Sequence, residues 1–310
     1  MRIGLLSACF PSLCLRDVAE IALSLKYQSL ELAAWPPDSN RQFASSHLPT
    51  GVLSFNQIDA VRLAIGDLEI SGLAYGENNL HPDPTIRERV NAHVRSCIDV
   101  AGILEVPVVT TFIGCDWTQP IKANLALGRE IFGPLVEYAK NHNVNLVIEN
   151  CPMVGWYQSG LPGNLGYSPE LWEWMDSIGL GLNFDPSHLI WMGIDPILAI
   201  EEFAPMIAHV QAKDTEVIKT GLQRYGVLGS VCRDDSPESG WWQYRVPGRG
   251  ECAWPALINA LKRSGYEGVI SVEHEDPVFS GSIEQIIAGL KIAHNTITPL
   301  IGSLTTKLPS

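Results

Sequence analysis

Asn145-Leu146-Val147-Ile148-Glu149-Asn150 decides the architecture: an apolar, β-prone run leads without alternation into a carboxylate and an amide. A strand with one wet face alternates polar and apolar residues. An unbroken run suits a parallel strand covered on both faces, and parallel strands need crossover helices. Upstream, residues 107–113 (PVVTTFI) read the same way, and downstream so do residues 269–273 (VISVE). Further short β-rich runs occupy residues 3–8, 29–33, 70–75, 181–185 and 207–213. Helical spacing follows at 16–26, 56–67, 84–104, 121–141, 169–176, 196–203 and 283–295. Eight such units in 310 residues, roughly 39 apiece, match the spacing of a (β/α)8 barrel. An open doubly wound sheet is the alternative, but no Gly-rich phosphate turn follows the first run. Neither a repeat nor a linker divides the chain, so residues 1–310 are expected to form a single TIM-barrel domain.

Residues 214–252 break the alternation. They carry Tyr225-Gly226-Val227-Leu228-Gly229, Trp241-Trp242 and Pro247-Gly248-Arg249-Gly250. So long a loop in a compact domain is usually functional or disordered. Its aromatic content predicts a lid over the barrel mouth, with Trp241 against substrate. Both tryptophans could instead cover a helix face or a contact between copies, which leaves room for a homo-oligomer.

Apolar residues make up 46% of the chain and charged residues 18%, enough for a sizeable core. With 21 basic and 34 acidic residues the net charge is −13, and no Lys/Arg run stands out. That argues against nucleic acid and anionic membranes as partners, and leaves a small neutral sugar open. No stretch of about 18 apolar residues exists, which predicts a soluble chain. The seven cysteines are scattered without a Cys-x-x-Cys, which reads as reduced thiols in a cytoplasmic protein. The apolar start resembles a short signal peptide, but the run is brief and Pro11 follows, so a barrel strand accounts for it better.

Active sites of such barrels lie at the carboxyl ends of the strands. Here those ends are Glu149-Asn150, Asp185-Pro186-Ser187-His188 and Glu273-His274-Glu275-Asp276, while the seventh run reads His209-Val210-Gln211-Ala212-Lys213-Asp214. Alternation puts His209, Gln211 and Lys213 on one face. Glu149, Asp185 and Glu273 in one mouth would repel strongly without a cation, so a divalent metal is expected. Taken singly each is a helix cap or an ion-pair partner, and Asp185 before Pro186 makes a plausible cap. His81 follows the third strand and is placed either at the mouth against substrate or in a solvated loop.

These residues resemble the xylose-isomerase-like TIM-barrel family, the sugar phosphate isomerase/epimerase-like proteins. The likeness runs from Ile3 to about Asn295. It is carried by Ile148-Glu149-Asn150, Asn183-Phe184-Asp185-Pro186-Ser187-His188, the strand-seven stretch, Pro247-Gly248-Arg249-Gly250-Glu251 and Ser271-Val272-Glu273-His274-Glu275. The resemblance implies one divalent ion held by Glu149, Asp185 and Glu273, with a fourth ligand from strand seven. Where the family usually has His this chain has Gln211, with His209 as a competing choice. An all-oxygen set favours Mn²⁺, with Mg²⁺ or Co²⁺ as alternatives, over Zn²⁺. His188 matches the family histidine that contacts substrate. Lys213 matches a Lys-Asp pair that binds a substrate oxygen or helps proton transfer, unless it merely pairs with Asp214 or Glu251. Ketose 3-epimerases of the family carry an Arg where this chain has Val217.

The chemistry this permits is proton removal beside a carbonyl, with Glu149 and Glu273 as base and acid and a metal-stabilised enediolate between them. Isomerisation or epimerisation of a sugar is the first expectation. The second is a lyase, dehydratase or deglycosidase that expels a β leaving group from a 3-oxo sugar. Abasic-site endonucleases share the barrel but need a richer His/carboxylate set and a basic surface. A non-catalytic sugar-binding barrel is the remaining alternative.

Overall fold

Alternation between buried apolar runs and amphipathic stretches produces strands and helices in turn. A computed structural model describes residues 1–37, 39, 45–48, 54–154, 156, 162–227 and 240–302. In chain order the strands are β1 (Arg2–Leu6), β2 (Ser29–Ala33), β3 (Glu69–Ala74), β4 (Val108–Thr111), β5 (Asn145–Glu149), β6 (Gly181–Phe184) and β7 (Ile207–Ala212). Then come β8 (Asp214–Val217), β9 (Trp242–Arg245) and β10 (Val269–Val272). Eight of them close into a parallel barrel in the order β1-β10-β7-β6-β5-β4-β3-β2. The fold is a (β/α)8 TIM barrel.

The helices are α1 (Leu15–Ser24), α2 (Phe55–Ile65), α3 (Pro84–Leu104), α4 (Ile121–Asn141) and α5 (Pro169–Asp176). They continue with α6 (Pro186–Met192), α7 (Pro196–Phe203), α8 (Lys219–Tyr225), α9 (Trp254–Arg263) and α10 (Ile283–Gly302). Their starts are written in the sequence. Asp83 and Asp195 each cap a helix whose next residue is proline, and Ser54 and Gln57 form a capping box. Helix α9 was not anticipated, although Trp254, Leu257, Ile258 and Leu261 give it a buried stripe at helical spacing.

Apolar side chains fill the layer between strands and helices, where Trp172 sits edge-on against Phe184 and Phe203. The barrel interior, by contrast, is polar. His209 reaches Asn183 Oδ1 at 3.0 Å through Nδ1 and Ser71 Oγ at 3.2 Å through Nε2, and Asn183 donates to Thr110. One layer nearer the mouth, Gln211 crosses the interior from β7 to Glu31 on β2.

The stretch expected as an irregular lid over residues 214–252 instead begins and ends in structure. β8 and β9 pair antiparallel, Asp214 to Arg245 through Val217 to Trp242. Residues 228–239, the middle of that expected lid, lie outside the described residues, as does Cys232. Buried Asp214 holds the return: its carboxylate accepts from Gly248 N (3.0 Å), Cys252 N (2.9 Å) and Trp254 Nε1 (2.9 Å). A Cβ on Gly250 would fall 2.3 Å from that carboxylate and 2.5 Å from Thr215 O, so the second glycine of Pro-Gly-Arg-Gly is required by close approach.

Candidate active site

Asparagine clamps fix the strand ends before any functional side chain is placed. Asn150 donates to Asp185 O (2.8 Å) and accepts from Asp185 N (2.7 Å), so the ends of β5 and β6 are locked together. Asn164 accepts from Ile113 N and donates to the carbonyls of Glu149 and Cys151, tying β4 to β5. Such closed amide networks rigidify what they touch. They hold the backbone on either side of Glu149 and at Asp185.

On this frame Glu149, Asp185 and Glu273 converge, all buried, with one carboxylate oxygen of each within 4.8 Å of the others. Asp185 serves two roles. Its Oδ1 caps α6 by accepting from Ser187 N at 2.8 Å, while Oδ2 faces the cluster. Asp185 thus caps a helix with one oxygen and faces the acidic cluster with the other.

Lys213 threads between the acids. Its Nζ lies 2.9 Å from Glu273 Oε2, 3.1 Å from Glu275 Oε2 and 3.2 Å from Asp185 Oδ2, and 4.7 Å from the Tyr244 ring centre. Neither partner expected from the sequence, Asp214 or Glu251, pairs with it. Asp214 is taken up by loop donors, and Glu275 was the acid overlooked. Burial works against the ammonium, but Glu273, Glu275 and Asp185 hold it protonated. Burial would also raise Asp185, yet Lys213 and His188 bring it down to about 2. Glu273 goes the other way: burial, with Glu149 and Glu275 nearby, lifts it well above the carboxylate range despite Lys213.

His188 is fully buried with Nε2 3.1 Å from Asp185 Oδ2 and 3.3 Å from Glu149 Oε1. Its Nδ1 lies 2.9 Å from the Tyr244 hydroxyl. Two carboxylate oxygens face Nε2, which places an N–H there, and the Tyr244 hydroxyl partners Nδ1. Burial disfavours the imidazolium, but Cys151, Tyr244 and Asp185 outweigh it and raise the pKa.

Four sequence expectations find other placements. His209, the competing fourth ligand, is engaged at both ring nitrogens within the interior, and burial lowers it to about 4. Trp241 is 3% exposed and edge-on to Trp191 of α6, while Trp242 stacks on the same ring at 4.5 Å. The tryptophans cover a helix face, and Tyr244 is the hairpin aromatic that reaches the cluster. His81 accepts from Asp83 N at the start of α3 and packs on Trp117, outside the cluster. Val217 faces Trp242 in the hairpin register.

Glu31, Tyr244 and Glu275 were missed. Each had a signal in alternation: Glu31 shares a face with Ser29 and Ala33 in a buried strand, Tyr244 with Trp242, and Glu275 with Glu273. Burial pushes Glu31 up to about 7.

The donor chemistry suits a hard cation. Among the buried oxygens, Gln211 Oε1 makes no hydrogen bond, which is costly, while Asp185 Oδ2 and Glu273 Oε2 face only the cationic side chains beside them. Lys213 offsets charge at two of them but not at Gln211. Oxygen donors of this kind fit divalent ions that prefer carboxylates and carbonyls. A second group, Glu149, Cys151 and His188, also brings three donors within 4.8 Å.

A family model described as xylose isomerase-like TIM barrel matches residues 19–293. Among curated proteins, the uncharacterized protein YfiH of Bacillus subtilis is 38% identical over 121 residues, 37% of this chain and 38% of that protein. An inosose dehydratase of Clostridium tetani is 29% identical over 125 residues, 39% of this chain and 40% of that protein. These matches span about two-fifths of each relative. Among solved structures, an L-ribulose 3-epimerase superposes with a TM-score of 0.66 at 16% identity, covering 97% of this chain and 94% of that one. A probable 3-DHS dehydratase of Bacillus anthracis gives 0.66 at 14% identity, covering 96% and 99%. At these identities the structural likeness speaks for the fold alone.

Proposed function

The chain belongs to the xylose isomerase-like TIM-barrel family, and we propose on that premise a metal-dependent dehydratase or lyase acting on a keto sugar or keto cyclitol. The reading rests on one observation: Glu149, Asp185 and Glu273 meet at a single point, interleaved with one ammonium and one imidazole. Glu149, Asp185, Gln211 and Glu273 would hold the divalent ion, Mn²⁺ by the all-oxygen donor set. When bound, such an ion supplies Lewis-acid stabilisation of negative charge on a substrate oxygen.

The residues divide the proton work unequally. Glu273, whose Oε2 lies 2.9 Å from Lys213 Nζ, takes the proton from the carbon beside the carbonyl. The C–H electrons pass into the substrate as an enediolate. Its collapse breaks the β C–O bond, and His188 gives its Nε2 proton to the departing oxygen. Tyr244 fixes the imidazole so that Nε2 faces the cluster. Lys213 balances charge while Glu273 gains the proton. The net loss is water or an alcohol. The inosose dehydratase relatives are consistent with this outcome, and the cluster itself supplies both the base and the acid it needs.

Isomerisation or epimerisation is the second reading, supported by Glu149 and Glu273 sharing one cluster, so that one carboxylate takes a proton and the other returns it. Val217, paired to Trp242 in the rim hairpin, stands where ketose 3-epimerases carry Arg and weighs against a simple ketose. The six free cysteines among the described residues suit a reducing compartment, the cytoplasm. No described helix is long and apolar enough to cross a membrane.

Incubation in D₂O with Mn²⁺ and either an inosose or a 3-oxo-glycoside tests both readings. Release of water or aglycone is expected for elimination. Deuterium at one carbon of an otherwise intact sugar identifies isomerisation. Neither exchange nor release with any keto polyol would overturn the proposal.

A further inference from the structure

Gln211 stands where the resemblance leads one to expect histidine, and the two side chains present a metal differently. An imidazole nitrogen has its lone pair in the ring plane at a fixed place. A primary amide has one end that donates and one that accepts, nearly identical in shape. If it turns over, it points an N–H₂ group at the cation instead of an oxygen. A chain that uses Gln at this position therefore needs something to choose the amide's orientation.

Glu31 does this. It lies on β2, three strands from β7 around the wall (β7, β10, β1, β2), so its contact with Gln211 crosses the barrel interior. Gln211 Nε2 is 3.3 Å from Glu31 Oε1 and 3.3 Å from Oε2. Both Glu31 oxygens accept from Nε2, and in its ionised form, above about pH 7, the carboxylate can only accept and selects the nitrogen end. The opposite end, Oε1, is buried and makes no hydrogen bond. Gln211 sits on the strand between β6 and β10, whose ends carry Asp185 and Glu273. Those two residues bring the carboxylate oxygens that face Lys213 and His188 in the mouth.

We propose that Glu31 is the positioning residue that locks the Gln211 amide with its oxygen toward the cation, and so sets the site's preference for hard divalent ions. This rests on the metal reading given under Proposed function. A ligand's supporting partner typically governs metal affinity by 10- to 100-fold. Replacing Glu31 by Gln keeps shape and volume but lets its own amide donate to Gln211 Oε1, which stabilises the inverted orientation. Replacing Gln211 by His removes the need for orientation and introduces a nitrogen donor, which Zn²⁺ accepts readily.

The experiment is calorimetric titration of Mn²⁺, and separately of Zn²⁺, into the wild-type chain and the E31Q, Q211H and E31Q/Q211H variants, with circular dichroism to confirm folding. Wild type binds one Mn²⁺. E31Q binds it about tenfold or more weakly. Q211H shifts preference toward Zn²⁺, and E31Q/Q211H binds metal as tightly as Q211H, because histidine no longer depends on residue 31. Structural damage at residue 31 would not be rescued by a change at residue 211. If wild type binds Mn²⁺ and folded E31Q binds it equally well, the inference about Glu31 is wrong while the metal reading stands. If wild type binds no divalent ion at all, the metal reading fails, and with it the inference.

Discussion

Replacing Lys213 by Met leaves the cluster's carboxylates without their ammonium while roughly conserving volume. In the native chain Nζ lies 2.9, 3.1 and 3.2 Å from three carboxylate oxygens and the side chain is 1% exposed. At an effective dielectric near 20, each such contact is worth roughly 5 kcal/mol before the cost of dehydrating the charges. Dehydration takes back most of that, and breaking a buried pair from one side costs about 3–5 kcal/mol. For a chain of this size that corresponds to a Tm lowered by roughly 6–15 °C. The acids would then rely on an added cation. A ligand at a hundred times its Kd stabilises by about 2.7 kcal/mol. Because Lys213 no longer competes for Asp185 and Glu273, Mn²⁺ should raise the Tm of K213M by more than it raises that of the wild type. Thermal unfolding followed by circular dichroism, with and without Mn²⁺, reads both quantities. A K213M chain that melts with the wild type in metal-free buffer would refute the view that this ammonium holds the acids together.

The pH dependence follows from His209. Burial sets its pKa at about 4 against 6.5 when unfolded, so between those values the unfolded chain binds the extra proton. Stability is therefore lost as pH falls from about 6.5 to 4, by about 3 kcal/mol, and urea titrations of H209N should show a shallower loss across that window. Glu31, raised to about 7, opposes this by favouring the folded state at lower pH, so the wild-type and variant curves must be compared rather than read singly. Y244F removes the hydroxyl that holds His188 Nδ1. It is expected to lower kcat about tenfold with KM little changed, and steady-state kinetics on the keto substrate would show it. D214A strips the acceptor from Gly248 N, Cys252 N and Trp254 Nε1 and should cost about 2–4 kcal/mol in urea denaturation, although Asp214 makes no contact with the carboxylate cluster.

The barrel was legible because its signals are local. Unbroken apolar runs mark two-sided strands, as at Leu146–Ile148, and caps such as Asp83-Pro84 mark helix starts. The rim hairpin was not, because β8 and β9 are separated by 24 residues and their pairing is a long-range contact. Of the candidate site, the acids at residues 149, 185 and 273 could be named from position alone, since strand ends in a barrel face one mouth. What could not be read was which partner each charged group chooses. Lys213 has Asp214 next to it in sequence, yet the backbone turns that carboxylate outward to the 248–254 loop and leaves the lysine facing Glu273 and Glu275.

The polar interior explains why the same sequence supports both a stable barrel and a reactive mouth. An interior lined by His209, Asn183, Ser71 and Thr110 is expensive unless each group is paired, and the hydrogen bonds between these side chains show that here they are. Moving from that layer toward the mouth, satisfaction ends. Gln211 is paired at its nitrogen and not at its oxygen, and Asp185 is capped at Oδ1 while Oδ2 meets only Lys213 and His188. In the cluster the oxygens outnumber the donors that face them, and such a surplus of acceptors selects for a positive charge. Lys213 provides one such charge, tethered to the chain. A divalent ion is the second kind that fits, and the competition between the two makes the charge at residue 213 the quantity that governs metal affinity as well as stability.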